Sequence, residues 1–189
     1  MLLDWLAGRQ MAAFEKTFDY DMTYARELLG WSRKGFWRFA RLAGMAGYRE
    51  EVPLSTWYAV KLVGARAEDC GPCTQLVVNM ASREGVPGDI LRAILRDDLA
   101  AMDADTALGW RYARAAVGHS PDIFALRDEV LQRFGPKAMA SLALALTGAR
   151  MYPMLKYAMG HGHACVRVRV GDDTVVPPPV DNLAHAARA

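Results

Sequence analysis

Cys70 and Cys73 stand at C-x-x-C spacing in Glu68-Asp69-Cys70-Gly71-Pro72-Cys73. Two thiols so spaced can close a short disulfide ring where the second one opens a helix. The free N–H groups and dipole of that helix start favour a thiolate. The pair is a candidate dithiol that can cycle against a disulfide. Pro72 supports the placement, because its fixed φ and missing N–H suit the first turn of a helix.

Other chemistries of the same residues fit less well. A thioredoxin setting needs strands alternating with helices around the motif, and none are read here. A zinc site would need further ligands, for which Cys165, His161 and His163 in Gly160-His161-Gly162-His163-Ala164-Cys165 are candidates. The usual second C-x-x-C or helical H-x-x-x-H is missing, so no metal is expected. Two buried cysteines without chemistry remain an alternative, since cysteine packs as a small hydrophobe.

The elements that must position the pair read as helices. Leu6, Met11, Phe14 and Phe18 recur near helical spacing, giving a first helix from Leu3 to about Thr17. Asp21 can cap a second through Leu29, and Ser32 a third through Leu42, until Gly44 and Gly47 break it. Pro53 opens a long helix from Leu54 that carries Tyr58 and Lys61. The motif helix follows and stops at Glu84-Gly85-Val86-Pro87. Along it Cys73, Val77, Met80 and Ala81 share one face, which turns Cys73 inward and leaves Cys70 at the mouth.

Ile90 to Leu95 is read as a short helix and Leu99 to Val117 as a longer one. Ser120-Pro121-Asp122 starts the next, and a final long helix after Gly135-Pro136 bends at Pro153. The fold class is all-α. One domain is expected over 1–160, with N-terminal helices over 1–50, the motif over 54–95 and further helices over 99–160. Val166-Arg167-Val168-Arg169-Val170 alternates like a strand but finds no partner in a helical chain. An extended C-terminal arm and tail over 161–189 is therefore expected, pairing with the same segment of another subunit or lying free, with the last ten residues mobile.

With 189 residues, 52% of them apolar and 23% charged, the chain can bury one core and is neither disordered nor membrane-spanning. No apolar run reaches the length of a membrane span, and Asp4 interrupts the apolar N-terminus, so neither membrane anchorage nor a secretory signal is expected. A net charge of +2 gives no reason to expect a nucleic-acid partner. The mixed stretch Arg33 to Arg41 fits an amphipathic helix with a solvated face. A C-x-x-C with one cysteine left over suits a reducing compartment, and a cytoplasmic location is expected.

From Leu54 to Leu95 the order is a helix, a turn, C-x-x-C opening a second helix, Gly-Val-Pro, and a short helix. This resembles the AhpD-like alkylhydroperoxidase and carboxymuconolactone decarboxylase family. The resemblance covers about a quarter of the chain. It implies an AhpD-like helical bundle, assembly as a homo-oligomer (dimer, trimer or hexamer), catalytic Cys70 and Cys73, and an antioxidant peroxidase or thiol-disulfide activity. The substrate would be a small peroxide or disulfide and the reductant an external thiol, without metal or organic cofactor. The family's peroxidases also carry a relay glutamate and histidine, and Tyr58 and Val77 stand at those positions here. Tyr58, Lys61, Glu68, His161 and His163 are candidate supporting groups in their place. A non-enzymatic oligomer with a redox-sensing or structural cysteine pair is the alternative, and a decarboxylase-type lyase ranks below both.

The resemblance makes Cys73 the attacking thiol, whereas helix-start geometry favours Cys70, the one expected to be exposed. The apolar Val77 would raise the Cys73 thiol by desolvation, and this outweighs the family assignment. Sequence alone therefore predicts faster alkylation of Cys70 in the reduced protein, which mass-mapped iodoacetamide labelling would read.

Overall fold

Short polar side chains and glycines set the helix ends. The computed structural model describes residues 2–163 and 167–179. α1 (Leu2–Phe18) and α2 (Thr23–Trp31) are joined by a turn in which an Asp21 carboxylate oxygen accepts from the Thr23 N–H at 2.8 Å. The Ser32 hydroxyl accepts from the Gly35 N–H at 3.1 Å and opens α3 (Arg33–Ala40), after which comes the short α4 (Leu42–Ala46). α5 (Leu54–Ala67) follows Pro53, and α6 (Gly71–Glu84) follows the N-cap residue Cys70 with Pro72 in its first turn. Gly85 closes α6 at φ 96°, a conformation that only glycine adopts without strain.

α7 (Gly88–Arg96) matches the expected short helix. The expected helix over 99–117 divides, because aspartates compete for the backbone. Asp98 accepts from the Ala101 N–H in one turn of 3₁₀ helix, and Asp103 accepts from the Thr106 N–H to start α8 (Ala104–Val117). α9 (Ile123–Ala158) begins just after Ser120-Pro121-Asp122 and is broken at Gly135 (φ 84°, ψ 177°) into two helical stretches, the second starting at Pro136 as the sequence predicts. The fold is all-α with one small hairpin among the described residues.

α5 has no solvent side from Thr56 to Ala67. It is the axis of the main core, with α6, α8 and α9 packed around it. Ala7, Met11, Tyr20, Tyr24, Ala25 and Phe36 form a second, separate cluster from α1 to α3, resting on Leu76 of α6 and Leu155 of α9. The N-terminal helices are thus a cap over the α6–α9 side of the core.

The C-terminal arm departs from its expectation. β1 (Val168–Val170) pairs antiparallel with β2 (Asp173–Val175) across Gly171, and the two lie on α6 and α7. Val168, Val170 and Val175 are buried, so the alternation serves this chain's own core. The missing strand partner is three residues long and too short to read as a strand. Cys165 and residues 180–189 lie outside the described residues.

Gly109 of α8 marks a close helix crossing. A Cβ there would stand 2.6 Å from Thr56 Cγ2 and 3.1 Å from the Thr56 carbonyl on α5. Alanine would gain about 1 kcal/mol of helix propensity, but overpacking against backbone costs about 1–3 kcal/mol. Gly109→Ala is therefore expected to lower stability by up to about 2 kcal/mol, read as a fall in the urea midpoint at unchanged m-value.

Candidate active site

Cys70 and Cys73 are joined as a disulfide across a Cα–Cα distance of 5.3 Å. Cys70 has extended backbone (φ −102°, ψ 97°), and its carbonyl accepts from both the Thr74 N–H at 2.9 Å and the Thr74 hydroxyl at 3.1 Å. That anchors the first turn of α6. The turn before it, with Asp69 at φ 48°, is tied down from α9: Arg150 bonds Glu68 at 2.6 Å and the Tyr157 hydroxyl donates to the Asp69 carbonyl at 3.0 Å. The Gly71 N–H donates to the His163 carbonyl at 3.0 Å.

These contacts reverse the expected exposure of the two cysteines. Cys70 is 0% exposed, closed over by the turn and the segment after α9, and Cys73 is 4% exposed. Only Cys73 borders a cavity of about 370 Å³, which lies between the cap and the α5, α6 and α9 side of the core. Helix-start position gave Cys70 free N–H groups, but the returning chain occupies one of them and removes the solvent. Access therefore favours Cys73, and the expectation that Cys70 sits at the mouth is corrected.

The cavity wall around Cys73 is apolar, with Leu76, Val77 and Met80 of α6 contributing to it. Its nearest polar neighbour is one that sequence reasoning missed: the Tyr20 hydroxyl stands 3.6 Å from the Cys73 sulfur. Burial pushes the Tyr20 phenol far above its ordinary value, so it stays protonated and can donate to a thiolate without serving as a base. Tyr20 lies 53 residues from Cys73, and the only signal was its place in a turn at the end of an aromatic-rich helix.

The supporting candidates divide. Tyr58 donates to Glu84 Oε1 at 2.7 Å and is kept protonated, first by burial and then by that carboxylate. Lys61 borders the cavity with Cys73. Its ammonium lies 4.0 Å from the Trp57 ring centroid and 5.3 Å from that of Tyr58. Burial pushes it down to about 8, against the attraction of Glu84. Glu68 is held by Arg150 and His161 by Glu27, Nε2 to Oε2 at 2.7 Å, so neither forms part of the cavity wall. His163 reaches the motif through its carbonyl. No group of three metal-ligating side chains occurs among the described residues, and no helix there is long and apolar enough to cross a membrane.

No family model, curated protein or solved structure matches this chain.

Lys61 sets a pH signature. Its folded value of about 8 lies below the ordinary 10.5, so between these values the unfolded chain binds more protons and stability rises with pH. Below about pH 8 the full cost, on the order of 3 kcal/mol, is present. Relative to Lys61→Met, which lacks the group, the native protein is expected to gain about 2 kcal/mol between pH 7 and pH 10. Paired urea titrations at the two pH values check this, and parallel pH profiles would refute it.

Proposed function

We propose that the protein is a thiol oxidoreductase of the AhpD-like class that cycles Cys70 and Cys73 between dithiol and disulfide. The observation that carries this reading is a C-x-x-C disulfide at a helix start with one sulfur, Cys73, on a cavity wall beside the Tyr20 hydroxyl. A thiolate of the reductant attacks Cys73 Sγ. The sulfur–sulfur bond breaks, and Cys70 leaves as a thiolate that takes up a proton. A second reductant thiolate then attacks the outer sulfur of the mixed disulfide and releases Cys73. Two thiols are oxidised as the protein disulfide is reduced. Run in reverse, the dithiol reduces a small disulfide.

Peroxide reduction is the second form of the reaction. Cys73 would attack a peroxide oxygen to give a sulfenic acid and an alcohol, and Cys70 would displace water to restore the disulfide. Val77 is apolar and Tyr58 is engaged by Glu84, so neither relay position offers Cys73 a base, which favours thiol-disulfide exchange over peroxide turnover. The cytoplasmic location belongs to this reading, because a reducing compartment keeps such a pair in turnover. Assembly as a homo-oligomer belongs to it as well, supported by exposed Leu3, Trp5 and Leu6 of α1 and Trp31 at the end of α2. Light scattering that returned a clean monomer at micromolar concentration would remove that part.

With a small aromatic disulfide as oxidant, the reduced protein should form one disulfide and lose two daltons in the peptide that holds both cysteines. Cys70→Ser should trap a mixed disulfide on Cys73, and Cys73→Ser should abolish reaction. Tyr20→Phe should slow the attack roughly 3- to 10-fold, the worth of an ordinary net hydrogen bond of about 0.5–1.5 kcal/mol. Iodoacetamide at limiting concentration should modify Cys73 before Cys70 in the reduced protein. If neither single-serine variant changes the rate, the cysteine pair is structural.

A further inference from the structure

The cavity beside Cys73 has a chemistry of its own. Its described lining is apolar and aromatic from both sides, with Met11, Phe14 and Phe36 from the cap and Leu76 and Met80 from α6. At about 370 Å³ it falls within the size of small-molecule sites, about 300–1,000 Å³. Lys61 is the one charged residue among the described residues that border it. Its residue is 8% exposed, yet its ammonium has no carboxylate within salt-bridge distance and no hydrogen-bond acceptor among the described residues. Glu84 attracts it from a distance, but that carboxylate is engaged by Tyr58. The rings of Trp57 and Tyr58 lie against the ammonium from its own helix and offer it no counter-charge, and the residue borders the cavity.

We propose that this cavity binds an apolar monocarboxylic acid of medium chain length, with its carboxylate on the Lys61 ammonium and its hydrocarbon body between the cap and α6. A buried cation without a counter-ion is costly, and a ligand carboxylate restores the missing pair in the same low-dielectric setting. One negative charge is the match for one lysine. A phosphate would carry a second charge and more acceptor oxygens than a single ammonium can satisfy, and the wall supplies no arginine or second cation. The apolar lining selects a hydrocarbon body over a small polar acid. The same ligand covers Cys73, because both residues border one cavity.

Binding does not depend on the cysteines being redox-active, so its failure and that of the oxidoreductase reading are separable. Decanoate and decanol would each be titrated into the full chain, followed by tryptophan fluorescence and by calorimetry. The expected result is saturable binding of one decanoate per chain and at least tenfold weaker binding of decanol. Lys61→Met should lower decanoate affinity at least tenfold and leave decanol unchanged. That variant removes a buried charge, and the decanol comparison tests the same point without any variant. Bound decanoate should also slow iodoacetamide labelling of Cys73 in the reduced protein. Equal affinity for the acid and the alcohol, unchanged decanoate affinity in Lys61→Met, or no binding of either probe would overturn the proposal.

Discussion

Complete burial of α5 is the constraint from which most of the molecule follows. A helix with no solvent side draws partners for its polar groups from the elements packed around it. Tyr58 finds Glu84 at the end of α6. Arg66 reaches the Ile94 carbonyl at 3.2 Å and Asp97, both at the end of α7, and the Pro178 carbonyl at 3.1 Å, which draws two separate stretches of chain onto one guanidinium. Removing one partner of such a buried group costs far more than a surface ion pair is worth. The positions of α6, α7 and the C-terminal segment are in this sense set by the polar residues of α5.

The same constraint shapes the site. The helix that carries Cys73 is fixed on one side by α5 and on the other by the hairpin. Gln75 donates to the Arg169 carbonyl at 3.0 Å and accepts from the Arg169 N–H at 2.7 Å, as a strand neighbour would. Asn79, one turn on, donates to the Phe18 carbonyl at 2.8 Å at the end of α1 and joins the cap to α6. Two amides on one helix thus hold the hairpin and the cap, and Cys73, just before them, faces the cavity that remains.

Much of the scaffold was legible because its signals are local. Ser32, Pro72 and Gly85 act within one turn of their own position, and the helices they bound formed as their chemistry requires. What could not be read depends on distant residues. The burial of Cys70 is decided by His163 and Tyr157, and the neighbour of Cys73 by a tyrosine before α2. The lone strand gained a partner too short for a periodic signal. The cavity is assembled from α1 to α6 and α9, each contributing a few side chains whose patterns show only that they are apolar. The burial of Lys61 could not be read, because its neighbours in sequence do not reveal that the helix is buried on all sides.

The division of the interior into two clusters has a kinetic meaning. The cap has its own small core and touches the rest through few side chains, so α1 to α3 form a unit that can open while α5 stays folded. Amide protons in the cap should then exchange through a shallower opening than those of α5. The cavity and Cys73 lie beneath that unit. A ligand that bridges the cap and Lys61 would tie that unit to α5 and make its opening costlier, a latch between the two clusters.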